Sequence, residues 1–302
     1  MKVTKSIITG GAGFIGSNLT DHLVKIGHKV IILDNFVSGK KANLSHHKKK
    51  NVKIVKIDIA KSKNLEKYLF GADYVFHLAG LAEIIPSIKN PKKYFINNVV
   101  GTLNVVEAAK KVKVKKLVYA ASSSCYGTPK SFPTSEKDKI DLKHPYALTK
   151  FMGEELVMRY ASIFSMPIIS FRFFNVYGPR LNTSGQYSAV IGNFLSQTKN
   201  KKPLTIVGDG KQTRDFIHVD DLINAFIKVI KSKLENKIYN LGSGKRTSIG
   251  SIAKIFGGKK KFIPFRPGEP KNSLANISKI KKDIGWRPKI SIGEGIKKLL
   301  SS

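Results

Sequence analysis

Short apolar runs alternate with longer mixed stretches through the first 175 residues of the chain. Runs near 3–9, 29–33, 52–57, 73–78, 116–121 and 167–173 are dominated by Ile, Val, Leu, Tyr and Phe. Runs of this length predict strands buried on both faces, and the longer stretches between them predict helices. Such alternation implies an α/β fold, a doubly wound parallel sheet with helices on both sides. The rhythm breaks over 176–212 and 244–302 and resumes at 213–243. One domain is therefore expected from 1–175 with 213–243, and a smaller α/β lobe from 176–212 with 244–302. The helix after Thr247 should end by Gly257-Gly258, which leaves that lobe short. Two long helices are expected at about 97–113 and 146–164. The second carries Leu148, Phe151, Met152, Leu156 and Tyr160 at near-helical spacing, a stripe that core burial explains for the most part.

In a sheet of this kind ligands collect off the C-terminal strand ends, where Gly10, Asp34, Asp58, Leu78 to Gly80 and Ser122 fall. The first such end is the most telling. Ser6-Ile7-Ile8-Thr9 runs into Gly10-Gly11-Ala12-Gly13-Phe14-Ile15-Gly16, which opens a helix through about Gly27. Lys29-Val30-Ile31-Ile32-Leu33 follows and ends in Asp34, 18 residues after Gly16. Glycines let the backbone approach a pyrophosphate, and the helix N-terminus offers N–H groups and a favourable dipole. A carboxylate closing the second strand holds ribose hydroxyls and repels a 2′-phosphate, so Asp34 favours NAD over NADP.

Tyr146 and Lys150 stand four residues apart on an expected helix and so share a face. A free tyrosine titrates near pH ~10, and a fixed ammonium nearby lowers that by roughly 1–3 units. Many such pairs are merely solvated. Here the hydroxyls of Ser122, Ser123 and Ser124 lie 24 to 22 residues upstream, alongside the glycine turn, and together they suggest redox acid–base chemistry.

The chain carries 54 Lys and Arg against 20 Asp and Glu, a formal charge of +34. Nucleic acid becomes a candidate partner on that ground. Yet only seven of the basic residues are Arg, the lysines are scattered, and no nucleic-acid module is recognisable. A lysine-rich codon preference explains the count more simply, and no nucleic-acid partner is expected. There is no apolar run of about 18 residues, so no membrane span is expected. A single cysteine, Cys125, fits a reducing, cytoplasmic setting, and a small buried thiol is its expected role. His77, His144 and His218 are not spaced like metal ligands, and His46-His47 sits in a basic loop. No metal is assigned.

The G-x-x-G-x-x-G spacing of Gly10, Gly13 and Gly16 with Tyr146-x-x-x-Lys150 resembles the extended short-chain dehydrogenase/reductase superfamily. Within it, the chain is similar to the NAD-dependent epimerases and dehydratases, most of all the UDP-glucose and UDP-N-acetylglucosamine 4-epimerases. The likeness runs through Asn98-Val99-Val100-Gly101-Thr102, Arg172-Phe173-Phe174-Asn175-Val176-Tyr177-Gly178-Pro179-Arg180 and Arg214-Asp215-Phe216 to Arg266-Pro267-Gly268-Glu269-Pro270. It implies a Rossmann-like fold with a nucleotide-sugar lobe. NAD would contact the glycine turn with Phe14 and Ile15, then Asp34, Asn35, Ser38 and Gly39. Asp58 and Ile59 would flank the adenine, and Leu78, Ala79 and Gly80 the nicotinamide ribose, although the family usually has alanine where Gly80 stands. Asn98 would support the strand of the catalytic hydroxyls, and Phe174 would meet the nicotinamide amide. Ser87, Asn175, Ala189, Val190, Phe194 and Val207 are implied substrate contacts. Arg214 and Arg266 would hold the diphosphate, Glu269 the nucleotide ribose, and Ser273 would flank the C2 substituent of the sugar.

The resemblance implies C4 epimerisation of a UDP-hexose through a transient 4-keto sugar. Tyr146 would act as base, Lys150 would lower its pKa, and Ser122 would relay the proton with Ser123 and Ser124 in support. Sugar dehydratases carry an Asp-Glu pair just after the catalytic hydroxyl, where this chain has Ser123 and Ser124. Decarboxylases of the superfamily usually keep a Glu there. The small Ser273 favours UDP-GlcNAc and UDP-GalNAc, with UDP-Glc and UDP-Gal as secondary substrates. A homodimer through the two long helices is implied as well. A non-catalytic dinucleotide-binding scaffold is the contrasting possibility, and the intact Ser122, Tyr146 and Lys150 argue against it.

Overall fold

The computed structural model describes residues 3–48, 50–183, 190–264 and 271–301. Seven parallel strands form the central sheet in the order Lys237–Leu241, Ile168–Phe173, Lys116–Ser122, Tyr74–His77, Lys5–Thr9, Lys29–Asp34 and Val52–Lys56. The first six strands in chain order match the apolar runs within two residues at either end. The seventh, Lys237–Leu241, has only a short apolar core, and its place at the edge beside Ile168–Phe173 depends on tertiary pairing. Strand order reverses between Lys5–Thr9 and Tyr74–His77, so the chain departs in opposite directions after Thr9 and His77. A crevice opens at that switch point.

Alternate side chains of each strand feed two separate cores. Phe76, Phe171 and Tyr239 pack with Leu19 and Leu23 of the helix Phe14–Lys25 and with Leu222 and Phe226 of the helix Val219–Lys231. Val75, Leu117 and Tyr119 face the other way, onto Val105 and Ala109 of Gly101–Lys111 and Val157 and Ala161 of Pro145–Ile163. Each fully buried Leu, Val or Phe contributes about 1.5–3 kcal/mol. Ile280 and Trp286 join the first core, and the Trp286 indole N–H donates to Asp221 O at 3.0 Å.

A third cluster builds the smaller lobe from Ile191, Phe194, Leu204, Ile206, Ile252, Phe256, Ile296 and Leu299. There Lys260–Ile263 runs parallel to Leu204–Val207, and the helix Ile249–Phe256 stops at Gly257 with φ +74°. Thr213–Arg214 pairs with Thr247–Ser248, and Phe216–His218 with Asn175–Tyr177, so the start of 213–243 is shared between lobe and domain. No described helix is long and apolar enough to cross a membrane.

Two expectations are corrected here. The stripe on the second long helix is not core: Leu148 is 43% exposed and Phe151, Met152, Leu156 and Tyr160 are only partly buried. The residues that helix does bury are Ala147, Thr149, Lys150, Gly153, Glu154, Val157 and Ala161, smaller and in part polar. The first long helix, Gly101–Lys111, is preceded by a π-helical turn, Ile96–Val100. This turn places the Asn98 amide where it accepts from Leu81 N at 2.8 Å and donates to Leu81 O at 3.0 Å and Thr149 Oγ1 at 3.1 Å. Asn98 therefore fastens the segment after the fourth strand to the Tyr146 helix, and not to the serine strand.

His77 is a structural residue. Its Nδ1 lies 2.7 Å from Thr9 Oγ1 and its Nε2 2.9 Å from Thr102 Oγ1, and burial drives its pKa down to about 3.

Candidate functional site

One cleft at the switch point gathers most of the residues singled out above. Gly10, Gly13, Phe14, Ile15 and Gly16 form its floor, Asp34, Asn35 and Ser38 one side, and Leu78, Ala79, Gly80, Tyr146 and Lys150 the other. The glycines are demanded sterically. A Cβ on Gly10, at φ +71°, would stand 2.8 Å from Ala79 Cα, and one on Gly16 would stand 2.3 Å from Gly10 O. Both obstacles are backbone, so neither position accepts a side chain without moving the turn. Asp34 is buried, accepting from Ala12 N at 2.9 Å and from Phe36 N at 2.8 Å. A carboxylate has about four lone-pair positions, so two remain for ribose hydroxyls. Gly39 abuts this carboxylate, since a Cβ there would lie 3.0 Å from Asp34 Oδ1. Glycine floor and capped carboxylate together fit a dinucleotide such as NAD.

On the adenine side the structure adds to the sequence expectation. Ile57 and Ile59 line the cleft, whereas Asp58 turns its carboxylate back onto Ala60 N at 3.0 Å. Gly80 lies close under Asn98, where a Cβ would stand 3.1 Å from Oδ1, so glycine leaves room for the amide that grips Leu81. At the nicotinamide end the wall is Phe173. Phe174 instead packs in a small cluster with Cys125, Tyr126 and Ala275. Strand alternation decides this, and the sequence fragment Phe173-Phe174 does not reveal which ring faces which side.

The catalytic candidates converge across three elements. Ser122 ends the all-buried strand Lys116–Ser122, and its Oγ donates to Ser124 Oγ at 3.1 Å and accepts from Ser124 N at 3.2 Å. Ser123 and Ser124 continue into a single 3₁₀ turn, Ser123–Tyr126. Tyr146 sits in the first turn of the helix Pro145–Ile163, after His144, whose Nδ1 accepts from Ala147 N at 3.1 Å and whose ring stacks on Tyr146 at 5.9 Å. Ser87, expected to touch substrate, has another task. It is fully buried and its Oγ accepts from Tyr146 N at 3.1 Å, fixing the backbone of the tyrosine.

The electrostatics differ from expectation. Burial pushes the Tyr146 phenol above its ordinary pKa, the Ser122 hydroxyl bonded to it pulls the other way, and Cys125 adds to the rise. In the protein alone, burial of the phenol outweighs the helpful ammonium expected from Lys150. Burial likewise lowers Lys150 to about 8, with Glu154 holding it from falling further. The Cys125 thiol, pushed up to about 12 by burial, is a poor nucleophile.

Lys150 rests 4.5 Å above the Tyr119 ring, and the Tyr119 hydroxyl donates to Lys150 O at 3.2 Å. One helical turn on, Glu154 accepts Arg172 Nε at 2.9 Å and Nη2 at 2.6 Å, and Ser170 Oγ at 2.9 Å. Arg172 Nη1 reaches Tyr126 OH at 2.9 Å and Glu136 O at 3.2 Å. The composition hid this buried pair, because Arg172 and Glu154 lie on separate elements.

Toward the smaller lobe the expected substrate contacts divide. Asn175 Nδ2 donates to Asp215 O at 3.1 Å, and Arg214 Nη1 donates to Thr213 O at 3.0 Å and Lys271 O at 3.3 Å. Phe194 is a core residue, fully buried and edge-on to Phe256 at 5.7 Å, which corrects its expected substrate contact. Val190 and Val207 are partly buried, Val190 at the start of the helix Val190–Lys199. Ser273 is half-buried in a segment held on both sides: Lys271 O accepts from Thr213 N at 3.0 Å and Leu274 O from Thr134 N at 2.8 Å. Asp215, unassigned from sequence, organises this junction by accepting from Ser243 N and Oγ, Gly244 N and Ala275 N. Ala189, Arg266 and Glu269 lie outside the described residues.

Residues 6–242 match the model of the NAD dependent epimerase/dehydratase family. Among curated relatives, the UDP-glucose 4-epimerase of Mycolicibacterium smegmatis is 33% identical over 97% of this chain and 96% of its own. UDP-glucuronic acid decarboxylase 4 of Arabidopsis thaliana is 34% identical over 98% of this chain and 67% of its own. Among solved structures, UDP-N-acetylglucosamine 4-epimerase from Methanobrevibacter ruminantium, in complex with UDP-N-acetylmuramic acid, superposes with a TM-score of 0.95. It is 34% identical and covers 100% of this chain and 98% of its own.

The buried pair beneath Lys150 generates a test. Glu154→Gln should cost about 3–5 kcal/mol of stability by urea denaturation, since the Arg172 charge stays buried without its partner. It should also let Lys150 deprotonate at lower pH, because the Glu154 charge raises its pKa. Amine-selective labelling of Lys150 against pH reads the second effect. Unchanged stability with an unchanged labelling midpoint would contradict the arrangement.

Proposed function

The chain belongs to the NAD dependent epimerase/dehydratase family, and on that premise we propose that it is a 4-epimerase of a UDP-hexose. The observation that carries this reading is the hydroxyl-only set at the strand end. Ser122 bonds Tyr146, and the next two side chains, Ser123 and Ser124, belong to serine. Expelling water from C5–C6 needs an acid and a base at those places, and serine hydroxyls titrate far outside the useful range. Decarboxylases also align over the whole chain, but the serine run disfavours their chemistry in the same way. The intact set disfavours a scaffold without catalysis.

When bound, NAD⁺ supplies the acceptor for a hydride from C4 and returns it. The chain supplies the proton chemistry. The Tyr146 phenolate takes the C4 hydroxyl proton, and the Ser122 hydroxyl bonds the reacting oxygen and relays that proton. Lys150, about 8 in pKa, remains mostly protonated at neutral pH and binds the nicotinamide ribose while favouring the phenolate. Ser87 and His144 hold Tyr146 in place through the helix N-terminus. A 4-keto sugar turned over in the cleft re-acquires its proton from the same phenol. General acid–base help of this type is worth about 10²–10⁴-fold.

The preferred pair is UDP-GlcNAc and UDP-GalNAc, with UDP-Glc and UDP-Gal as secondary substrates. Ser273, small and between the anchored Lys271 and Leu274, is the residue on which this preference rests, since a tyrosine there would take the space an acetamido group needs. A related structure named as a UDP-N-acetylglucosamine 4-epimerase supports this choice. The enzyme works as a homodimer through its two long helices, where Leu103 is 37% and Leu148 43% exposed. Apolar faces of this kind on adjacent helices are used in subunit contacts.

Three outcomes follow. Tyr146→Phe should lower turnover by at least about 10²-fold while NAD remains bound, and loss within about threefold would refute its role as base. Ser273→Tyr should lower kcat/KM on the acetylated pair by about tenfold or more and spare the plain hexoses. Equal losses on both pairs, or no wild-type turnover of UDP-GlcNAc, would refute the pocket assignment. Light scattering at micromolar concentration should give about twice the 33.4 kDa chain mass, and a monomer mass would refute the dimer.

A further inference from the structure

Beside the helix Phe14–Lys25, three side chains 25 and 26 residues apart in sequence meet. Asp21 Oδ1 lies 2.9 Å from His46 Nε2 and 2.7 Å from His47 Nε2. All three donor atoms fall within 4.8 Å of one another, and the two imidazole rings lie 4.1 Å apart. We propose that Asp21, His46 and His47 form a binding site for one borderline divalent transition-metal ion of the zinc, cobalt or nickel class. Spacing along the chain could not show it, because the carboxylate comes from a helix and the imidazoles from the segment between the second and third strands.

Tetrahedral bonds of about 2.0–2.1 Å separate ligand atoms by about 3.3 Å, so closure needs roughly half an ångström of opening. The His47 side chain is only 9% exposed and already aimed at the carboxylate, and the His46 side chain is 54% exposed, leaving a fourth position open to water. Arg180 holds the other Asp21 oxygen and also donates to Asn18 Oδ1 at 2.8 Å and Asn43 O at 3.0 Å. A ligand carboxylate oriented in this way is characteristic of a supported metal site. Without metal each Nε2–H donates to Asp21 Oδ1, which can only accept; a bound ion would replace both hydrogen bonds, with the remaining proton of each ring on Nδ1. Two imidazoles and one carboxylate select zinc-like ions over Mg²⁺ and Ca²⁺, which require more oxygen ligands.

The site would act on the cofactor wall. Between it and the cleft runs the loop of Ser38 and Gly39, whose continuation ties back to the glycine turn through Lys40 N and Asn43 Nδ2, both donating to Ala12 O. A metal at His46 and His47 would pin the far end of that loop to the helix Phe14–Lys25.

Untagged protein titrated with Co²⁺, followed by its visible d–d absorption, tests this. One equivalent should bind per chain, Zn²⁺ should displace it, and Mg²⁺ should not. His46→Ala and His47→Ala should each weaken binding by at least about tenfold. His46→Ala is the variant to weigh if His47→Ala fails to fold, since the His46 ring is exposed. His22→Ala, which removes a separate contact to Asp220, should bind as wild type. No saturable absorption, or binding that persists unchanged in His46→Ala, would overturn the site, as would binding lost only in His22→Ala.

Discussion

A charged amine buried at the end of a parallel sheet is the constraint on which the rest of this structure depends. Lys150 is 8% exposed, and desolvation favours its neutral form. The chain opposes that tendency with a carboxylate one helical turn away, and Glu154 in turn accepts from the fork of Arg172 and the hydroxyl of Ser170. From Arg172 the network continues through Tyr126 to Asn240, whose N–H donates to Glu136 and whose amide donates to Thr134 O. Thr134 bridges to Ala275, two residues beyond Ser273. One buried charge thus connects the cofactor wall to the segment that shapes the proposed sugar pocket.

The same desolvation acts on Tyr146 in the opposite sense. Burial raises the phenol and lowers the amine, so the protein alone favours a neutral tyrosine beside a lysine that is easily discharged. Positive charge brought by an oxidised nicotinamide would tilt the phenol toward phenolate, while a reduced ring would not. Proton removal would then be favoured only when a hydride acceptor is in place. Beneath the pair the floor is apolar: Lys116–Ser122 is buried along its whole length, and the Tyr119 ring lies under Lys150.

Features set by local chemistry were legible in the sequence. The glycine turn, Asp34, the six apolar strands and the i,i+4 pair Tyr146–Lys150 each depend on neighbours within one element or one turn. Where two elements had to meet, residue patterns were silent. Phe173 rather than Phe174 faces the cleft because of strand phase against a partner sheet face. Ser87 and Asn98 carry polar side chains that could serve substrate or strand, and only packing shows them gripping the Tyr146 helix. The stripe of Leu148 and Met152 has the spacing of a core face, yet the helix buries its small residues instead, since Gly153 must admit the Tyr119 hydroxyl, 2.2 Å from where a Cβ would stand.

Ionisation of Tyr146 with and without cofactor tests the central claim most directly. Ultraviolet difference spectra across a pH titration, subtracted from those of Tyr146→Phe, isolate one phenol. With NAD⁺ present the phenolate signal should appear at least about one pH unit lower than in the protein alone. An identical midpoint in both, or a cofactor-dependent shift that survives unchanged in Tyr146→Phe, would contradict the account.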